Sequence, residues 1–170
     1  MAKTIKMELS LTSIENALRE LEAYKNDFER KDKLFRERLA ERLQVIAQAN
    51  YNSAVHGATD VTSPITVSVQ SSGGDYTVVV AEGKQVAFVE FGTGVFYNGA
   101  AGSSPHPKGT ELDMTIGSYG KGRGKRIAWG YRDETGNLVI TRGFRASSAL
   151  YDAVIDVANA ADRVAKEVFG

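Results

Sequence analysis

The sequence predicts an α+β fold, an antiparallel sheet flanked by long amino-terminal and carboxy-terminal helices, with an extended glycine-rich arm. Three observations predict it. Apolar residues recur at helical spacing near both ends of the chain, β-branched runs punctuated by turn residues occupy the middle, and 10 of the 17 glycines fall between Gly92 and Gly130. A segment so rich in glycine is neither an ordinary helix nor a central strand, so residues 95–126 read as an arm. At 170 residues the chain suits a single domain, 1–170, that buries roughly 70% of its unfolded surface.

Taken in order, Ile5, Met7, Leu9 and Leu11 alternate with Lys6, Glu8 and Ser10, the period of two expected of a strand with one buried face. Thr12-Ser13-Ile14-Glu15 fits a capping box and predicts a helix start. Ile14, Leu18, Leu21, Phe28, Phe35, Leu39 and Ile46 continue at helical spacing, with Lys25 and Asp32 interrupting the stripe and a break expected at Tyr24–Asp27. Ten of the fourteen residues from Lys25 to Arg38 are charged, and Asp27–Lys31, Glu29–Lys33 and Asp32–Arg36 are favourably ordered i,i+4 pairs. Such a segment is either a solvated helix face or a charged subunit contact.

Residues 64–69 and 76–80 read as a hairpin turned through Ser71-Ser72-Gly73-Gly74-Asp75, and Trp129–Arg132 with Leu138–Thr141 as a second. Ala149, Leu150, Ala153, Val154, Val157, Ala161, Val164 and Val168 form the apolar stripe of a last helix, capped by Ser147 or Ser148.

Composition restricts the chemistry. Lys plus Arg equals Asp plus Glu at 21 each, so the whole-chain balance supplies no attraction to nucleic acid or membrane. The absence of cysteine removes disulfides, thiolate nucleophiles and zinc-thiolate sites. No apolar block reads as a signal peptide or a membrane span, so folding in a cytoplasm is expected. His56 and His106 are fifty positions apart without metal-ligand spacing, and neither the phosphate-loop nor the dinucleotide glycine pattern is met, so no metal or cofactor is expected. Ser103 or Ser104 with His106 and Asp113 lacks a nucleophile elbow.

Glu90 is the more serious candidate. It stands alone among Val86, Phe88, Val89 and Phe91, directly before Gly92-Thr93-Gly94. Burial could raise its pKa for general-acid work, but no acid or base partner lies nearby in sequence. A carboxylate beside a glycine turn can instead accept backbone N–H groups and fix where the arm leaves the core. The second candidate is the basic run Lys121, Arg123, Lys125 and Arg126, with Tyr97, Tyr119, Trp129 and Tyr131 around it, a combination used by binders of single-stranded nucleic acid and also by protein contacts or solvated loop tips.

Phe88-Val89-Glu90-Phe91-Gly92-Thr93-Gly94-Val95, Pro105-His106-Pro107, Thr115-Ile116-Gly117-Ser118-Tyr119-Gly120 and Thr141-Arg142-Gly143, in this order, resemble the tail-component family of long-tailed phages and prophages. These are also called tail-completion or head–tail joining proteins. The resemblance spans nearly the whole chain and implies a non-enzymatic virion part of the neck or tail, assembled in the bacterial cytoplasm as a ring, most often a hexamer. It implies connector, stopper, tail-terminator or tube proteins as partners, with DNA in the channel. It also makes Glu90, Phe91, Gly92, Thr93, Gly94, Thr141, Arg142 and Gly143 an assembly motif. The alternative is a small nucleic-acid-binding module acting through the basic arm.

Overall fold

The computed structural model describes residues 4–55, 64–71, 76–92, 106–109, 111, 129–132, 135–141 and 143–170. It is α+β. Helix α1 runs Leu11–Val55, strands β1 (Thr66–Ser71) and β2 (Thr77–Glu82) follow, then a short helix α2 (Val86–Phe91), strands β3 (Trp129–Arg132) and β4 (Leu138–Thr141), and helix α3 (Ala149–Phe169).

The expected strand at Ile5–Leu11 does not form. Residues 4–10 pair with no strand among the described residues, and Leu9 and Leu11 are exposed. The helix starts earlier than the expected capping box because Ser10 takes the capping position. Its carbonyl accepts the Ile14 N–H at 3.0 Å and its Oγ accepts the Ser13 N–H at 3.3 Å. Ser13 Oγ in turn accepts the Glu8 N–H at 2.9 Å, while the Ser10 N–H goes to Glu8 O at 2.8 Å, so the cap sits at Ser10, two positions before Thr12, and is braced by the residues just ahead of it.

Nor does α1 break at Tyr24–Asp27. Between Leu11 and Val55 there is no glycine or proline, so nothing interrupts the backbone ladder, and a lapse in the apolar stripe changes only which face meets solvent. The charged turns pair along the surface: Asp27 with Lys31 at 3.3 Å and with Arg30 at 2.7 Å, and Asp32 with Arg36 at 2.9 Å. Glu29 pairs back to Lys25 at 3.6 Å rather than to Lys33, which reaches Glu37 at 3.8 Å.

Both hairpins form, but as two separate two-stranded antiparallel sheets. In the first, Val67 lies opposite Ala81 and Val69 opposite Val79; in the second, Gly130 lies opposite Ile140. Ile65 and Val67 face inward and pack with Ala47 and Tyr51 of α1, Val89 of α2, and Ala149 and Ala153 of α3. The backbone of β1 turned away from β2 is satisfied by α1 side chains. Gln44 Nε2 donates to Val67 O and Gln48 Nε2 to Ile65 O, both at 2.9 Å, while Gln48 Oε1 accepts the Val67 N–H at 2.8 Å. Two glutamines one helical turn apart thus stand in for a third strand.

Helix α3 runs back along α1. Asn50 Nδ2 donates to Ala149 O at the start of α3, and the Phe169 ring at its end lies 5.9 Å from the rings of both Phe28 and Phe35. Its buried residues are Ala149, Ala153, Val157, Ala160, Val164 and Val168; of the expected stripe, Val154 is instead exposed, Leu150 only partly buried, and Ala160 takes the inside place given to Ala161. Ala47 of α1 packs in one cluster with Ala149 and Ala153 of α3, small side chains that let the backbones approach closely.

Candidate functional site

The six-residue α2 is too short to persist on its own helical propensity, so its place depends on what its ends contact. Gly92 closes it at φ 81° and ψ −172°, a conformation essentially restricted to glycine, while its N–H bonds Phe88 O. The carbonyls that α2 leaves open are taken by the approach to α3. Ser147 donates to Val89 O from both its N–H (2.9 Å) and its Oγ (2.8 Å), and the Ser148 N–H donates to Glu90 O at 3.1 Å.

The exchange is mutual. Ser148, the residue before α3, sits in the left-handed region at φ 51°, ψ 32° and makes no side-chain cap bond. The expected serine cap is replaced by Glu90, whose Oε2 accepts the Leu150 N–H at 2.9 Å and whose Oε1 accepts the Tyr151 N–H at 3.0 Å. A carboxylate from sixty residues upstream therefore caps α3, where the helix dipole favours negative charge.

Two side chains complete the carboxylate's shell. Tyr51 Oη donates to Oε2 at 2.9 Å, and His106 Nε2 lies 3.1 Å from Oε1. His106 Nδ1 accepts the Lys108 N–H at 3.0 Å, so this nitrogen is unprotonated and the ring carries its hydrogen on Nε2, which donates to Glu90. The imidazole is held between Phe91 at 4.3 Å and Tyr151 at 5.4 Å between centroids. Tyr51 is fully buried, Glu90 is 5% exposed and His106 6%. Burial first, then the neighbouring Glu90 charge and the hydrogen bond to it, push the Tyr51 hydroxyl far above the ordinary tyrosine range, keeping it a donor.

Each carboxylate oxygen thus receives two donors. The arrangement has the residue types of an acid–base site, but its lone pairs are committed to backbone and side-chain donors of α1, α3 and the residue 106–109 turn. Glu90 does accept backbone N–H groups, as the sequence suggests; among the described residues those donors belong to α3. No sequence spacing links Glu90 to Tyr51, His106 or Leu150. The one available signal was the presence of a carboxylate in an apolar run, which demands partners without naming them.

The other assembly-motif residues separate. Phe91 and Gly92 end α2, Thr141 lies opposite Trp129 in the second hairpin, and Gly143 has φ 74°. Thr93, Gly94 and Arg142 lie outside the described residues, as do Lys121, Arg123, Lys125 and Arg126 and the serines and aspartate of the weighed triad. Of the expected 95–126 arm, only His106–Gly109 and Glu111 are described, and His106 belongs to the buried cluster. Among the described residues no group of three His, Cys, Asp or Glu side chains is placed to hold a metal ion, and no helix is long and apolar enough to cross a membrane.

Among the described residues, two open grooves lie beside the cluster. One, about 670 Å³, is polar and includes Asn50, Ser147, Asp152 and Asp156. The other, about 410 Å³, is mainly apolar and lies where α1, β2 and α3 meet. Neither is lined by Glu90, His106 or Tyr51. The chain matches no family model, no curated protein and no solved structure.

Proposed function

We propose that the chain is a structural part of a phage neck or tail that assembles with copies of itself into a ring and helps join tail to head. The observation that carries this reading is the amino-terminal stretch of α1. Leu11, Leu18, Leu21 and Tyr24 are each at least half exposed on a continuous helix, an apolar surface of the kind that subunit contacts cover. The resemblance of Phe88–Val95 and the later motifs to the tail-component family supplies the particular assembly. The commitment of Glu90 to four donors supports a role that is architectural and not catalytic. The mechanism is then mechanical: ring formation, docking on neighbouring connector, stopper or tube proteins, and passage or retention of DNA.

Native mass spectrometry of the purified chain, alone and with the products of neighbouring genes, tests the reading, with electron microscopy of the resulting particles. Closed oligomers or a stable complex with a neck or tail protein are expected. A chain that stays monomeric under both conditions would overturn it.

A further inference from the structure

Resting on that reading, we infer that the contact between copies is made by the amino-terminal stretch of α1 in one subunit and the apolar α1–β2–α3 groove of the next. Leu11, Ile14, Leu18, Leu21 and Phe28 recur at spacings of three, four and seven, so they lie along one side of the helix. Four of them are large and exposed, from 52% at Leu21 to 81% at Leu11. The groove offers the complementary shape. It is open, about 410 Å³, and lined by Leu39, Leu43, Val79, Val154 and Val157, with Tyr76 61% exposed at its edge.

A chain cannot fill its own groove with this stripe. Leu18 and Leu39 lie on one unbroken helix, about 32 Å apart at 1.5 Å per residue, and no glycine or proline between them allows the rod to fold back. A second copy carries the missing surface. Charge disfavours stripe-to-stripe pairing: residues 11–24 hold Glu15, Glu20 and Glu22 against Arg19, whereas among the described residues the groove's one charged lining side chain, Arg36, is already paired with Asp32 of its own helix, so the groove presents no like charge to the stripe. Two stripes brought together would oppose like net charges and leave both grooves uncovered. Because the two surfaces differ, the contact is head-to-tail, and it closes into a ring when the rotation per step closes.

The chain has no cysteine, so introduced thiols report the contact without background. One full-length copy carries Leu18→Cys and another, differently tagged, Val154→Cys; both sites are solvent-exposed. A short bis-maleimide linker should give the mixed dimer when the two are combined, and the double variant should give a ladder of higher oligomers. Dimers from Leu18→Cys alone, with no mixed product, would overturn the inference in favour of paired stripes. Leu18→Glu with Leu21→Glu should weaken self-association at least about tenfold while circular dichroism and melting stay unchanged. Rings that survive this double change, or that form without a mixed cross-link, would overturn the inference and leave the structural reading standing. A wild-type chain that neither self-associates nor binds a neck protein would remove both.

Discussion

Replacing Glu90 exposes how much one carboxylate is asked to do. Glu90→Ala leaves the Tyr51 hydroxyl, the His106 Nε2–H and two backbone N–H groups without an acceptor at one buried point. The expected loss is about 3–5 kcal/mol, comparable to breaking a buried ion pair from one side. Urea unfolding checks it, and a change below about 1 kcal/mol would mean that water replaces the carboxylate without cost. Tyr51 gives a signed pH prediction. Its hydroxyl ionises near 10.0 when unfolded but well above that when folded, so the folded state retains a proton that the unfolded state loses. Its contribution is complete below pH 10 and declines as pH rises beyond it. Tyr51→Phe should therefore be less stable than the parent by roughly 1.5–3 kcal/mol at neutral pH, with a shallower loss of melting temperature above pH 10. Glu90 was legible in the sequence as an anomaly. Its partners were not, because they come from positions 16 to 61 residues away and only the fold brings them to it.

At the scale of elements, the legible parts were those governed by local periodicity: both hairpins, the carboxy-terminal helix and most of α1. The misplaced features were decided by competition. Alternation at residues 5–11 resembles a strand, yet among the described residues no strand pairs with it and Ser10 caps the helix instead. The lapse at Lys25 looked like a break, yet only a backbone disruption ends a helix whose surface charges pair within its own turns. Least legible was the role of Gln44 and Gln48, which read as ordinary helix formers and turn out to satisfy the outer edge of β1. Gln48→Ala should cost about 1–3 kcal/mol, since it removes the acceptor of Val67 N–H and a donor to Ile65 O together. Gln48→Glu should restore the first bond but not the second, giving an intermediate loss in the same unfolding assay. At the end of α2, Gly92→Ala should cost about 1–3 kcal/mol through backbone strain alone.

For the whole molecule, α1 is both the floor of the core and the part that extends beyond it. A 45-residue helix is about 67 Å long, while α3, with 21 residues, reaches back only to Phe28 and Phe35. Tyr51, near the far end of α1, touches Glu90, and Glu90 touches both His106 and the first turn of α3. An uninterrupted helix has no glycine or proline hinge, so a load on Leu18 would reach the Tyr51 end of α1 as a turning moment about the packed half. The amides of Leu150 and Tyr151 are the gauge at that end. Their hydrogen exchange should slow when the Leu18 end is seated in an assembly, and the Leu18→Glu, Leu21→Glu variant should exchange there at the rate of the free chain.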